Sequence, residues 1–339
     1  MATTIYDIAK QCHCSTTTVS KVFNKSGKIS DKKREEILKV ASKLNYVPSQ
    51  SARTLASSSK SSHLIGVVLH TSEDRSITHE LFSKLLNSFR IELEKRDYDI
   101  CFLRNINNKN YKYEHLIKSR GIDGVLILSS TSTKTVQELI KTDIPIVGFD
   151  NGTLEYTFSC NNREIVAEMV DYLVSQGHKR IAYVCPKHSG VSEVRFQGFL
   201  DGLKRNNIPF DPRMDVEGMY YSEESSKIGT DKALKSGLNP TVIMYPDDYT
   251  AINAIPYLRS LGYKVPKDIS IVGFDGIIIA RMMRPKITTI KQDPIGLGKK
   301  AAELLLKQIE HKEIKNKHLV VDASIFKGET VLNLKEESK

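Results

Sequence analysis

The sequence contains no hydrophobic run that approaches the roughly 18 residues a membrane span requires. Its start, MATTIYDIAKQ, lacks the basic and then apolar order of a signal peptide. The five cysteines are an odd, scattered set, which argues against a disulfide framework. These absences predict a soluble cytoplasmic protein that keeps its thiols reduced and does not contact a membrane.

Common catalytic motifs are absent as well. There is no GxSxG, Walker A or HExxH sequence, and no glycine fingerprint follows the first predicted strand. Asp247 and Asp248 are adjacent, so on a regular element they point in different directions and need not form an acid–base pair. The run Cys12-His13-Cys14 is too closely spaced for zinc and has no second ligand pair. The sequence therefore predicts no enzyme, no cofactor and no metal site.

The net charge of +10 is concentrated at one end of the 339 residues. Residues 1–62 contain eleven Lys and Arg against four Asp and Glu, a net of +7, which leaves +3 for the rest of the chain. A small basic end on a nearly neutral body indicates a polyanionic partner for that end alone. The alternative is a solvated basic face that has no partner.

Three short helices are predicted in this basic end. Apolar residues at helical spacing, with Thr4 and Asp7 as a capping box, predict the first. Ser15 is a suitable N-cap for the second, predicted over Thr16–Asn24, and a third follows Ser30. Two short helices joined by a tight turn are the layout of a helix-turn-helix.

The second predicted helix would place its first residues against base edges in the major groove. Thr16 and Thr17 stand at that end, and Lys21, one turn on, would reach a guanine or a phosphate. The candidate DNA contacts are Thr4, Tyr6, Thr16, Thr17, Ser20, Lys21 and Asn24. The alternative is a small helical bundle whose polar face has no function.

Residues 49–57 precede a serine-rich linker and are long enough for two helical turns, which are unstable alone. Such a segment can become ordered on binding. Leu55 within it has no evident core partner. It is either a minor packing residue or an apolar wedge between base steps of the minor groove.

In the remaining residues, short apolar runs alternate with helical stretches, which predicts parallel sheets covered by helices. The predicted strands are Leu64–Leu69, Ile100–Leu103, Val125–Leu128, Ile144–Phe149, Ile181–Cys185, Val242–Tyr245 and Ile269–Phe274. The predicted helices include Glu80–Lys95, Glu164–Gln176, Val194–Asn206, Ala251–Leu261 and Ile295–Ile309.

An internal repeat indicates two lobes. The runs IPIVGFD and ISIVGFD each read as a buried strand that ends in an aspartate, Asp150 in one and Asp275 in the other. Because ligands of open α/β sheets bind at the carboxyl ends of the strands, we expect both aspartates at a shared cleft. The alternative is that each merely caps the following turn.

Taken together, the motifs of the chain resemble the lactose-repressor/galactose-repressor family of bacterial transcription regulators. The motifs are Thr4–Ala9, Ser15–Asn24, Leu44–Ser49 and Ala52–Ala56 near the start, and Gly177–Ile181, Arg195–Phe199, Asp247–Ile252, Gly273–Asp275 and Thr288–Asp293 in the body. The resemblance implies a headpiece, a hinge helix that folds on the operator with Leu55 as its intercalating residue, and a dimer on palindromic DNA. Lys21 departs from the family, in which many relatives carry Arg, a better bidentate reader of guanine.

The same resemblance implies a body with the fold of periplasmic sugar-binding proteins and an effector site between its lobes. The effector contacts it implies are His70, Arg75, Asp150, Arg195, Asp247, Asp275 and Gln292. Asp247 replaces the commoner Asn, which removes an amide donor. Such a set suits a polyol, because carboxylates accept hydrogen bonds from hydroxyls and a guanidinium donates them.

Further cations near the expected cleft favour a sugar acid, such as a uronate-pathway keto-deoxy acid, or a sugar phosphate. They are Arg75, Lys187, Arg281, Arg284 and Lys291. The alternative for these cations is solvated surface.

The predicted fold class is an N-terminal all-α helix-turn-helix headpiece with a hinge helix, followed by a two-lobed α/β core with parallel sheets. The headpiece is assigned to residues 1–58 and the core to 63–334. The core's first subdomain is 63–161 with 292–321, and its second is 162–291 with 322–334.

The predicted function is repression of a carbohydrate or sugar-acid catabolic operon by a homodimer under effector control. The alternatives are a regulator driven by a corepressor or a phosphoprotein, and a sugar-binding receptor without DNA function.

Overall fold

The computed structural model describes residues 3–23, 27–46, 61–69, 77–103, 112–128 and 133–336. Its N-terminal part contains α1 (Ile5–Gln11), α2 (Thr16–Phe23) and α3 (Asp31–Lys43). Their apolar faces meet in one small core in which Ile8, Cys12, Val19 and Ile37 are fully buried. The three predicted helices are therefore confirmed, and Cys12 has the packing role expected of it.

Side chains fix the ends of these helices. The Asp7 carboxylate accepts hydrogen bonds from the backbone N–H of Thr4 at 2.8 Å and from the Thr4 hydroxyl at 2.7 Å. Ser15 Oγ accepts a backbone N–H of α2 at 3.1 Å, as its predicted N-cap role requires. Lys33 Nζ donates to the carbonyl of Cys12 at 2.6 Å, which ties α3 to the C-terminal end of α1. Lys33 and Ser15 thus stabilise the two ends of the turn between α1 and α2.

The first lobe is built on a parallel sheet with the strand order β11-β5-β4-β3-β1-β2, counted over the described residues. Its strands are β1 (Leu64–Leu69), β2 (Asp99–Phe102), β3 (Gly124–Leu128), β4 (Ile146–Phe149), β5 (Thr157–Cys160) and β11 (His318–Val321). Its helices are α4 (Glu80–Glu94), α5 (Tyr113–Arg120), α6 (Thr133–Ile140) and α12 (Pro294–Ile309). Apolar residues fill both sides of this sheet, as the strand runs predict.

The second lobe repeats this plan with the strand order β12-β10-β9-β8-β6-β7 in the described chain. Its strands are β6 (Ile181–Cys185), β7 (Asp215–Glu217), β8 (Val242–Met244), β9 (Ser270–Asp275), β10 (Thr288–Lys291) and β12 (Ser324–Phe326). Its helices are α7 (Asn162–Ser175), α8 (Val191–Arg205), α9 (Glu223–Lys235), α10 (Asp248–Ser260) and α11 (Ile278–Met282), and a short 3₁₀ turn spans Pro212–Met214.

The expectation of parallel sheets needs one correction, because β12 pairs with β10 in antiparallel fashion. The chain leaves the first lobe at Val321 and enters β12 at Ser324, at the edge of the second sheet. An antiparallel edge strand on an otherwise parallel sheet is common in α/β proteins.

The chain passes between the lobes after β5, after β10 and after β11. The carboxyl ends of β4, β5 and β9 are followed or closed by polar residues, among them Asp150, Asn162 and Asp275. Among the helices that the structure describes, none is both long enough and apolar enough to cross a lipid bilayer.

Candidate functional site

The two aspartates of the repeat occupy corresponding places in the two lobes. Asp150 follows β4 with a φ of 49°, and Asp275 closes β9 with a φ of 106°. Both values lie in the region that favours glycine, so each carboxylate is held in place at a cost in backbone strain. Strain of this kind is concentrated at functional sites, where it fixes the direction of a side chain.

Arg195 of α8 connects to Asp150 through one amide. Its Nε donates to Asn162 Oδ1 at 2.8 Å, and Asn162 Nδ2 donates to Asp150 Oδ1 at 2.9 Å. The guanidinium carbon also lies 3.5 Å from the centroid of the Phe274 ring. Because Arg195 is only 5% exposed, this chain of hydrogen bonds holds a buried cation beside a half-buried carboxylate.

Asp275 meets side chains from both lobes. Gln292 Nε2 donates to Asp275 Oδ1 at 2.8 Å, and His79 Nε2 lies 3.4 Å from Asp275 Oδ2. The charges of Asp275 and Arg195 also act on Asp150. The structure therefore brings together four of the residues that the family resemblance implies, namely Asp150, Arg195, Asp275 and Gln292.

Asp247 and Asp248 are both buried, and their carboxylates accept hydrogen bonds from the framework of the second lobe. Asp247 caps α10 by accepting from Thr250, and it also accepts the backbone N–H of Tyr221 at 2.9 Å. Asp248 points elsewhere, accepting from the Thr289 hydroxyl at 2.6 Å and from the Ile277 N–H at 2.8 Å. The two adjacent carboxylates thus diverge and form no acid–base pair.

Burial shifts the pKa values of the ionisable groups in this cluster. Desolvation raises the pKa of Asp150 and of Asp247 to about 6, and that of Asp275 to about 7. Desolvation also lowers the pKa of His79 to about 4, so its ring is neutral near pH 7. Asp150, Asp247 and Asp275 are therefore hydrogen-bond acceptors whose negative charge is unfavourable unless a partner compensates it.

Several residues of the cluster were not predicted. His79 packs against the rings of Tyr221 at 4.5 Å and Tyr249 at 5.1 Å, and the Tyr220 hydroxyl lies 3.0 Å from Ser192 Oγ. The sequence feature that could have identified His79 is its position directly before a predicted helix. Asn162 was missed because it follows β5, a strand that was not predicted either.

A cleft of about 540 Å³ lies beside Asp275 and Gln292 and is lined by residues of both lobes, although Asp150, Arg195 and Asp247 do not line it. Arg281 and Lys291 line it, and Arg281 Nε donates to the carbonyl of Gly276 at 2.9 Å. Lys187 and Arg284 are exposed. Two more predicted effector contacts, His70 and Arg75, lie outside the described residues.

The predicted DNA-contacting residues that the structure describes are polar residues of α1 and α2, together with Thr4, the N-cap of α1. Tyr6, Thr17 and Lys21 are exposed, whereas Thr16 and Ser20 are half-buried at the start and middle of α2. Thr4 is exposed, but its hydroxyl is engaged by Asp7. Asn24 and Leu55 lie outside the described residues. No group of His, Cys, Asp and Glu suited to a metal ion occurs within the residues that the structure describes.

Comparisons with known proteins agree with both parts of this architecture. Residues 4–49 match the lacI family of bacterial regulatory proteins, and residues 170–331 match the periplasmic binding protein-like domain. The HTH-type transcriptional repressor PurR of Mannheimia succiniciproducens is 30% identical over 326 residues, which cover 94% of this chain and 95% of that protein.

Two solved structures extend the comparison. The lac repressor dimer bound to operator and the anti-inducer ONPF has a TM-score of 0.82 at 24% identity, covering 98% of this chain and 100% of that one. A LacI family regulator from Enterococcus faecium with bound ribose has a TM-score of 0.67 at 26% identity, covering 80% and 99%. The predicted fold class and the predicted absence of enzymatic activity are confirmed by this relationship. The chain belongs to the lacI family of bacterial regulatory proteins, as a ligand-regulated DNA-binding transcriptional repressor.

Proposed function

We propose that this repressor controls a carbohydrate-catabolism operon and that a sugar bound between its two lobes sets its affinity for the operator. The observation that supports this most is the cluster at the strand ends. There Asp150, Asp275 and Gln292 offer oxygen acceptors, and Arg195 offers a fixed cation. Hydroxyls donate to such oxygens, and sugars present many of them. A regulator 26% identical to this chain was solved with ribose bound.

A sugar acid or a sugar phosphate is the finer form of this proposal. Arg281 and Lys291 line the cleft and would pair with an acidic group of the ligand. The inner carboxylates of Asp150 and Asp275 would repel that group, so it would have to face outward, toward Lys291. Calorimetry with neutral sugars, uronates, keto-deoxy acids and sugar phosphates separates the two forms; binding of neutral sugars alone excludes the acid.

The effector acts on DNA binding only if its affinity differs between the free and the operator-bound protein. Closure of the lobes around the ligand is the conformational change that would make the effector affinity differ between the free and the operator-bound protein. The α4 end of the first lobe already touches the second, because Glu80 Oε2 accepts the backbone N–H of Ile278 at 2.7 Å. A bound ligand that strengthens or breaks this contact would alter how the two headpieces approach DNA.

The chain is proposed to act in the cytoplasm as a homodimer on a palindromic operator. Support comes from exposed apolar side chains near the cleft mouth. On α11, Ile278, Ile279 and Met282 are 43%, 56% and 73% exposed, and Ile295 of α12 is 55% exposed. Such a patch is typical of a subunit interface. Sedimentation of the wild-type chain and of Ile279→Glu tests the assembly, and a monomeric wild type would contradict it.

Base reading is assigned to Thr16, Thr17 and Lys21, and Ser20 is a further DNA contact of α2. Thr4, Tyr6 and Asn24 are assigned to phosphate contacts, which position the headpiece without specifying sequence. The exposure of Tyr6, Thr17 and Lys21 supports the assignment, as does the net of +7 in residues 1–62.

A second candidate is control by a purine. The relative that is 30% identical over nearly the whole chain is named a PurR repressor. A mobility-shift titration on the protein's own promoter, with sugars in one series and purines in another, decides between the candidates. Release or tightening by a sugar alone supports the carbohydrate proposal, and a response to a purine alone replaces it.

A further inference from the structure

His79 lies at the boundary between the lobes, and its hydrogen bond determines which ring nitrogen carries the proton. It is the N-cap of α4, and its Nδ1 accepts the backbone N–H of Leu81 at 3.2 Å. In a neutral ring the proton then lies on Nε2. The rings of Tyr221, Tyr249 and Phe82 surround the imidazole, at 4.5, 5.1 and 5.4 Å between centroids. His79 thus presents one N–H donor in one direction.

The His79 donor is one of a few buried polar atoms, in the part of the chain that the structure describes, that have no hydrogen-bond partner. Within the described residues, three buried side-chain polar atoms have no hydrogen-bond partner: His79 Nε2, Asp275 Oδ2 and Gln292 Oε1. The three residues are 4%, 6% and 2% exposed. His79 Nε2 and Asp275 Oδ2 are 3.4 Å apart but are not aligned for a hydrogen bond with each other. Because buried polar groups are rarely left without partners, such a group indicates a place that a ligand completes.

The donors and acceptors in this group select the chemistry of the ligand. A hydroxyl both accepts and donates, so one hydroxyl satisfies His79 Nε2–H and Asp275 Oδ2 together. A second hydroxyl donates to Gln292 Oε1. A carboxylate or phosphate ester only accepts, so it would face Gln292 Oε1 and the ionised form of Asp275 without a donor, whereas an ammonium only donates and would face the His79 N–H.

We propose that His79 is a specificity-determining residue of the effector site and that, with Asp275 and Gln292, it reads a pair of hydroxyls on an uncharged part of the effector. The inference rests on the proposed control by a sugar and adds the residue that selects it. Since His79 belongs to the first lobe and Asp275 to the second, the same hydroxyl joins the two lobes.

The test uses the full-length protein and a defined set of probes. Thermal shift and calorimetry are run with ribose, cellobiose and other neutral sugars, with glucuronate, with glucosamine and with hypoxanthine. For the neutral sugar that binds, deoxy analogues lacking one hydroxyl each are then measured. Wild-type protein is expected to bind one deoxy analogue at least about tenfold more weakly than its parent sugar.

The decisive variant is His79→Phe, which keeps a ring but removes the donor, so the affinity ratio between parent and deoxy sugar should shrink to the part that Asp275 supplies. His79→Asn retains an N-cap oxygen and a donor, and it guards against a variant that fails to fold. His63→Phe makes the same replacement at an exposed histidine of the first lobe and should keep the wild-type discrimination.

Two results would overturn the proposal. One is a His79→Phe protein that still distinguishes the parent sugar from every deoxy analogue as the wild type does. The other is a panel in which only glucuronate, glucosamine or hypoxanthine binds. Failure of the whole panel to bind or to alter operator affinity would instead remove the proposed carbohydrate control, and the inference with it.

Discussion

Gln292 Nε2 donates to Asp275 Oδ1 at 2.8 Å, and this bond links the crossover after β10 to the end of β9. Both side chains are almost completely buried. The carboxylate nevertheless lacks the partners that would make its charge favourable, because its other oxygen has no hydrogen bond. Asp275 is therefore kept at a cost to the stability of the ligand-free protein, a cost that its proposed role in effector binding would explain.

Replacement of Asp275 by Asn is expected to stabilise the ligand-free protein at neutral pH. Burial raises the pKa of Asp275 to about 7 from an ordinary value near 3.8, so the folded state holds a proton that the unfolded state has lost. Wild-type stability therefore falls as the pH rises from about 4 to about 7, and Asp275→Asn removes that fall. The gain at pH 8 should be on the order of 1–3 kcal/mol.

Chemical unfolding of both proteins at pH 4.5 and pH 8 measures this effect. Asp293→Asn is a comparison outside the buried cluster, at the exposed N-cap of α12. An equal difference between wild type and Asp275→Asn at both pH values would contradict the assigned cause. The same variant should lose its effector response, because an amide cannot accept at both of its polar atoms.

Replacement of Arg195 by Ala is expected to destabilise the protein strongly and in a pH-dependent way. The variant removes the cation that acts on half-buried Asp150, together with the hydrogen bonds of Arg195 to Asn162 and to the carbonyl of Pro246. The loss should stay below the about 3–5 kcal/mol of a broken buried ion pair, because Arg195 and Asp150 are joined through an amide and not directly. Desolvation already raises the pKa of Asp150 to about 6 while Arg195 lowers it, so the variant raises it further. The loss should be larger at pH 8 than at pH 5, where Asp150 becomes protonated.

Arg163→Ala supplies the matched control for Arg195→Ala. Arg163 forms an ion pair with Asp201 at 2.6 Å, but its side chain is 59% exposed. Such a pair is worth about 0–1 kcal/mol, and its removal should change stability little at either pH. Equal losses of stability in the two variants would show that the hydrogen-bonded chain from Arg195 to Asp150 contributes no more than an exposed ion pair.

The duplicated strand ends were predictable, and the residues between them were not. IPIVGFD and ISIVGFD are nearly continuous apolar runs that end in aspartate, so β4, β9 and their carboxylates followed from the sequence alone. The strands β5 (TFSC) and β7 (DVE) are three or four residues long and partly polar, which leaves no periodic signal to detect. His79 comes close to Asp275 only because the fold brings the N-cap of α4 in one lobe to a strand end of the other.

Replacement of Lys21 by Ala is expected to weaken DNA binding and to change its salt dependence. If Lys21 contacts a phosphate, the slope of log affinity against log salt should become shallower by about 1. If Lys21 reads a guanine, the preference at one operator position should relax as well. Lys235→Ala, at a 76% exposed position of α9, is the control that should leave both unchanged. A wild-type affinity without salt dependence would contradict the role of the basic headpiece.

Replacement of Leu55 by Ala is expected to weaken the affinity for operator DNA more than the affinity for non-specific DNA. Leu55 lies outside the described residues, and its role as a wedge in the minor groove is a prediction from the family resemblance. Loss of the wedge should weaken operator binding more than binding to an unrelated duplex, because only the operator complex is kinked. Fluorescence anisotropy on both duplexes measures the ratio. Equal losses would return Leu55 to the role of a minor packing residue.

Replacement of Gly198 by Ala is expected to disrupt the second lobe. A Cβ at Gly198 of α8 would lie 2.2 Å from the backbone carbonyl oxygen of Arg163 in α7, so the two helices would have to separate. Overpacking against backbone costs about 1–3 kcal/mol or more, since no flexible side chain can move aside. Gly152→Ala is the control, because nothing lies within 4 Å of its added Cβ. Thermal unfolding should show a clear loss for Gly198→Ala and little change for Gly152→Ala; similar melting temperatures would mean that α7 and α8 do not pack this closely.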